Sequence, residues 1–132
     1  MNIGVHFFDL LIWLFGKPGE SRVHYSDARR MAGFLELERA QVKWFLSVDA
    51  ADLPFRLQAG QRSSYRSITL DGQEIEFSDG FANLHTELYR EVLAGRGFSI
   101  DDARPSVELV HRIRTAEPVR TDNQAHPFLK IR

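Results

Sequence analysis

Apolar residues crowd the start of the chain. Ile3, Val5, Phe7, Phe8, Leu10, Leu11, Ile12, Leu14 and Phe15 leave little polar surface on a helix. A helix apolar nearly all round is buried on most sides. Asn2, His6 and Asp9 interrupt it at spacings of four and three, which on a helix share one face. Asn2 suits an N-cap, and Gly16 followed by Pro18 suits a stop, so the helix is predicted over residues 3 to 15.

Alternation then replaces helical spacing. Lys17-Pro18-Gly19 reads as a turn, residues 21–26 as a short strand and residues 27–30 as a loop. In the next strand Met31, Gly33, Leu35 and Leu37 share a face, and in the one after it Val42, Trp44, Leu46 and Val48 do. A hairpin turn at Arg39-Ala40 sets Leu37 against Val42, Leu35 against Trp44 and Met31 against Val48. The other face then pairs Glu36 with Lys43 and Phe34 with Phe45. Phe34 and Phe45 on that face need cover, for which a second subunit or domain is the preferred source.

Residues 51–64 lose periodicity and read as a long loop. Residues 65–70 and 74–77 form strands joined by Asp71-Gly72, a strong hairpin signal. A helix over residues 81–94 turns Leu84, Leu88 and Val92 inward and ends at Gly95. A last helix over residues 100–115 is capped by Asp101 or Asp102, tolerates Pro105 in its first turn, and has Val107, Val110 and Ile113 as its apolar side. The tail from Glu117 has no periodicity and is expected to order against a neighbour. A helix, antiparallel strands and two helices make an α+β fold.

Composition narrows the classes. With 132 residues, 43% hydrophobic and 27% charged, the chain fits one domain with a core of its own. A formal net charge of -1 gives no reason to expect nucleic acid. The absence of cysteine rules out disulfides and thiolate metal sites and points to the cytoplasm. The opening apolar run lacks a basic leader, carries His6 and Asp9 and stops too early to span a bilayer, so neither a signal peptide nor a membrane segment is expected. A chain that opens directly inside a buried helix is expected to be part of a longer protein.

His6 is the sharpest chemical candidate, because imidazole titrates near neutral pH and takes or delivers a hydroxyl proton. Asn2 can hydrogen-bond the same hydroxyl, and Asp9 can orient the ring. The bland alternative is a satisfied core histidine, a simple cap and a local structural carboxylate. No second histidine stands near His6, so a metal is not expected. His85 and Tyr89 form a second pair four residues apart, placed to line a pocket or to reach solvent. Arg62, Tyr65 and Arg66 end the long loop, where arginine is suited to phosphate. The chain has no glycine-rich dinucleotide fingerprint, P-loop or serine nucleophile elbow.

The run Asn2-Ile-Gly-Val-His6-Phe-Phe-Asp9-Leu-Leu resembles the opening of the C-terminal domain of the Gfo/Idh/MocA oxidoreductases, which carry G-[IV]-H-x-x-D there. The resemblance continues through residues 42–50, 65–69, 76–81, Leu84-His-Thr86, residues 100–105 and His126-Pro-Phe. Together these resemble one branch, the UDP-N-acetyl-2-amino-2-deoxy-glucuronate 3-dehydrogenases of lipopolysaccharide O-antigen synthesis. The resemblance implies that residues 1–132 are a single C-terminal substrate-binding and oligomerisation domain. It implies an open, mostly antiparallel sheet with helices packed on one face and subunit contacts on the other. A Rossmann domain absent from this chain would bind NAD and supply a lysine. The residue matching His6 lies near the reacting carbinol in the family, as base or proton relay. The residue four before it is often aspartate there and is Asn2 here, which favours a hydrogen bond to substrate over a carboxylate that raises the histidine pKa. A UDP-sugar substrate and a homo-oligomer follow from the resemblance, with Asn2, Asp9, His85, Tyr89 and Arg66 as substrate-binding candidates. A free-standing α+β binding or dimerisation module without catalysis is the alternative.

Overall fold

A computed structural model describes residues 2–55, 64–78 and 84–129, with the side chains of Asn2, Ile3, Leu84 and His85 excepted. The order is α1 (Asn2–Phe15), β1 (Pro18–Ser26), β2 (Arg30–Leu37), β3 (Ala40–Ser47), β4 (Ser67–Leu70), β5 (Gln73–Glu76), α2 (Leu84–Leu93) and α3 (Ile100–Thr115). Short 3-10 turns lie at Ala50–Asp52 and Pro127–Leu129. The fold is α+β, as expected. The chain divides into two compact units, residues 1–48 with 99–132, and residues 49–98. No helix among the described residues is long and apolar enough to cross a membrane.

In the first unit β1, β2 and β3 form an antiparallel sheet in that order. α1 packs on α3, and α3 on β1. Phe8 and Leu11 of α1, Val23, Leu35 and Trp44 of the sheet, and Leu109 and Ile113 of α3 are almost wholly buried and form the core. β1 starts at Pro18, three residues before the expected strand. As an edge strand it tolerates a residue that donates no ladder hydrogen bond.

The β2–β3 turn is Glu38-Arg39 rather than Arg39-Ala40, and the register moves by two. Leu35 faces Val42, Gly33 faces Trp44 and Met31 faces Leu46; on the other side Phe34 faces Lys43 and Ala32 faces Phe45. A two-residue slip leaves every side chain on its expected face. Gly33 explains the choice: a β-carbon there would lie 2.1 Å from the Arg22 carbonyl oxygen and 2.7 Å from Trp44 Cζ2. The indole needs a glycine opposite it.

The aromatic face of the sheet is covered by the chain's own tail. Phe34 is buried, with the Arg22 guanidinium 5.1 Å from its ring centre. Phe45 packs on His126 and Phe128 at 5.7 Å and 5.4 Å. Lys43 Nζ donates to the Asn123 carbonyl at 2.9 Å, and Val119 N to the Val23 carbonyl at 2.8 Å. The tail expected to need a neighbour finds its partner in its own sheet.

α3 also departs from expectation. Its N-cap is Ser99, which forms a capping box with Asp102. Pro105 is the sixth helical residue, beyond the first turn. The buried stripe is Ser106, Leu109 and Ile113, while Val107 is exposed. Small Ser106 on that stripe keeps its hydroxyl satisfied by donating to the Ala103 carbonyl at 2.9 Å.

In the second unit β4 and β5 pair antiparallel across Asp71-Gly72, whose φ values are 50° and 84°. That is the left-handed geometry expected of this turn. α2 ends at Leu93, and Gly95, with φ 75°, follows as its terminator. Leu88 and Val92, expected inward, are exposed. Part of the long loop, residues 56–63, and the expected first turn of α2, residues 81–83, lie outside the described residues.

Candidate active site

α1 is two-sided. Gly4, Phe8 and Leu11 are buried, and Phe8 meets the Trp44 indole edge-to-face at 5.4 Å and 88°. His6 and Asp9 are exposed. Trp13, four residues after Asp9 and on the same side, is 77% exposed, and Leu14 39%. The apolar count had suggested burial nearly all round; the face bearing His6, Asp9 and Trp13 is open instead. This disposes of the satisfied core histidine, since His6 is not in the core.

Among the described residues neither His6 nor Asp9 has a hydrogen-bonding or ionic partner within the fold. Their side-chain polarity is not spent on a partner among the described residues. Asn2 belongs to the first turn of α1 rather than preceding it as a cap, and its side chain lies outside the described residues. No group of three histidine, aspartate or glutamate side chains among the described residues is placed to hold a metal ion.

The remaining candidates belong to the second unit. Tyr89 is 68% exposed on α2; His85 is four residues earlier on the same helix, with its side chain outside the described residues. Arg66 leads into β4, its backbone N–H donating to Ser78 Oγ at 2.9 Å and its carbonyl accepting from Phe77 N at 3.0 Å. Arg62 lies outside the described residues. The Tyr65 hydroxyl donates to the Glu74 carboxylate, which raises the tyrosine pKa and lowers that of the glutamate. Tyr65 therefore stays protonated and engaged within its hairpin. Asn2, His6 and Asp9 thus share one helix, and Arg66, His85 and Tyr89 belong to the hairpin and helix of the other unit.

Two features escaped the sequence reading. A register irregularity in β1 between Val23 and Tyr25 leaves His24 with its side chain fully buried. Its Nε2 lies 3.6 Å from Asp122 Oδ1, and neither ring nitrogen is hydrogen-bonded within the described residues. Arg22 beside it donates through Nη1 to Asp122 Oδ2 at 2.7 Å and also to Gln124 Oε1, so the group pins the tail to the sheet. Strict alternation hid it, because a bulge turns one residue out of phase. The second feature is Arg39, whose Nη2 donates to the Leu14 carbonyl at 2.9 Å at the end of α1. Nothing in a turn sequence announces a contact across 25 residues.

No family model matches the chain. Among solved structures it is similar to the WlbA (WbpB) dehydrogenase from Thermus thermophilus in complex with NAD and α-ketoglutarate, at 47% identity and a TM-score of 0.88. It is likewise similar to the same enzyme in complex with NAD and UDP-GlcNAcA, at 46% identity and a TM-score of 0.87. Both matches cover 96% of this chain and 41% of that one, so the chain spans about two fifths of its relative's length. At that identity, over nearly all of its residues and in the same α+β fold, the chain is similar to the C-terminal part of the WlbA (WbpB) dehydrogenase.

Proposed function

We propose that this chain is the substrate-binding C-terminal domain of an NAD-dependent dehydrogenase that oxidises the C3 hydroxyl of a UDP-N-acetylglucosaminuronic acid-type sugar, in the cytoplasm, for lipopolysaccharide O-antigen synthesis. The observation that carries the reading is the match over 96% of the chain to a dehydrogenase solved with NAD and UDP-GlcNAcA. The open face of α1, with His6 and Asp9 unengaged, supports it from the chain's own geometry.

The residues present do not form a dinucleotide site, since the chain has no glycine-rich strand-to-helix turn to receive a pyrophosphate. NAD, held outside this chain, would supply the hydride acceptor. The task left to this domain is to hold the sugar and move a proton. His6 takes the C3 hydroxyl proton on a ring nitrogen as the carbinol becomes a ketone. Asp9, three residues on and exposed on the same helix, offers a carboxylate to the sugar hydroxyls. Asn2, one turn before His6, hydrogen-bonds the hydroxyl without adding charge. Arg66, His85 and Tyr89 stand as substrate-binding candidates of the second unit taken by itself, the guanidinium suited to phosphate oxygens. A homo-oligomer rests on the family resemblance alone, because Phe34 and Phe45 are already covered by the tail.

The test is NADH formation by the full-length protein that carries this chain, supplied with NAD and UDP-N-acetylglucosaminuronic acid, UDP-N-acetylglucosamine or free glucuronic acid. Turnover of the first well above the other two supports the reading. Equal inactivity on all three overturns it.

A further inference from the structure

α1, which packs on α3, is held also by the β2–β3 hairpin. Gly33 and Trp44, opposite each other on β2 and β3, seat Phe8 on the helix flank. The turn between the same strands closes the helix end. Arg39 N donates to the Phe15 carbonyl at 3.0 Å and Arg39 Nη2 to the Leu14 carbonyl at 2.9 Å. Lys17 N donates to Glu38 Oε2 at 3.2 Å, and Glu38 N returns a bond to the Lys17 carbonyl at 3.2 Å. Gly16, at φ 91°, leaves no room for a β-carbon, which would meet Glu38 Oε2 at 2.2 Å.

The last carbonyls of a helix have no intrahelical donor, and a cation is favoured beside them. Arg39 supplies two donors and the charge. These bonds differ in kind from the contacts of Phe8 and Leu11. Apolar packing resists separation but is non-directional, whereas two hydrogen bonds along the helix axis oppose axial sliding. A helix is a stiff rod, so a shift at Leu14 reaches His6, eight residues or about 12 Å away.

We infer that Arg39 is a positioning residue for His6, setting the axial position of α1 relative to the sheet; this rests on the reading of His6 as the proton acceptor. Arg39 itself touches no reacting atom.

The test uses the full-length protein carrying Arg39→Ala, Arg39→Lys, His6→Asn or Asp122→Asn, with kcat and KM measured for the UDP-sugar. Amide hydrogen exchange in α1 is followed in the 132-residue chain. Arg39→Ala is expected to lower kcat about tenfold with KM within about twofold of wild type, the signature of a misplaced catalytic group. It is also expected to speed exchange along the last turn of α1. Arg39→Lys, which keeps a donor and the charge, restores most of kcat. Asp122→Asn loosens the tail on the far face of the sheet and leaves kcat at the wild-type value, which a general loss of stability would not. Wild-type kcat in Arg39→Ala, or an equal fall in Asp122→Asn, overturns the inference. If His6→Asn is inactive while Arg39→Ala is fully active, positioning fails and the reading of His6 stands. If His6→Asn is fully active, the reading itself fails.

Discussion

Replacing Gly33 by alanine sets two physical effects against each other. In an ordinary strand the change stabilises by about 0.5–1 kcal/mol, because alanine has less backbone entropy to lose. Gly33 has no positive φ that would forbid a side chain. The opposing effect is local: the new β-carbon would lie 2.1 Å from the Arg22 carbonyl oxygen, 2.7 Å from Trp44 Cζ2 and 3.0 Å from Trp44 Cε2. The oxygen belongs to the paired backbone of β1 and cannot swing aside without breaking the ladder. The indole can move only by displacing Phe8. Overpacking of this kind costs about 1–3 kcal/mol and occasionally more, so the clash wins and Gly33→Ala should destabilise by about 2 kcal/mol. Urea unfolding followed by tryptophan fluorescence is a suitable assay, since both tryptophans, Trp13 and Trp44, lie in the first unit. With a slope of about 2 kcal/mol per M, the midpoint should fall by about 1 M at unchanged slope. A double-mutant cycle with Trp44→Ala should show the second change costing about 1 kcal/mol less once Gly33 is alanine. A midpoint that stays put or rises in Gly33→Ala refutes the packing argument.

Two further predictions follow from the termini of the elements. His126 is held below its ordinary pKa of 6.5, first by burial against Phe45 and Phe128 and then by the charge of Lys43. Because the folded value is the lower one, the unfolded chain takes up the proton first as pH falls below 6.5. Stability is therefore full above 6.5, declines below it, and is fully lost for this group once the folded pKa is passed. His126→Phe, which keeps a ring there, should flatten the fall in urea midpoint below pH 6.5; parallel pH curves for variant and wild type would count against it. Ser99→Ala removes the hydroxyl of the capping box and should lower the thermal midpoint by an amount equivalent to about 1 kcal/mol, a loss that Ser99→Asp should largely avoid.

Legibility in the sequence followed the range of the interaction. Asp71-Gly72 and Gly95 were readable because left-handed backbone is a local demand that few residues meet. The faces of β2 and β3 were readable from alternation, but their register was not. Complementary pairs such as Glu36 with Lys43 favoured one alignment, and the contact of Trp44 with Gly33 decided for another. α3 was turned because Val107 looked like core, whereas close packing chose small Ser106. The irregularity at His24, the reach of Arg39 to Leu14 and the fold-back of the tail are all long-range, and a single sequence records no partner for them. The site divides in the same way. The polar stripe of α1 was visible from helical spacing, but its exposure depends on which side Phe8 and Leu11 bury.

The most direct measurement is the pH dependence of kcat/KM for NADH formation from UDP-N-acetylglucosaminuronic acid, in the wild-type full-length protein and in His6→Asn. If His6 accepts the hydroxyl proton, the variant should lose about 10²–10⁴-fold in rate. Its profile should also lose the limb that rises with pH, the kinetic mark of a general base. A variant that keeps the wild-type rate and the same rising limb would contradict the account, and the proton acceptor would have to lie elsewhere.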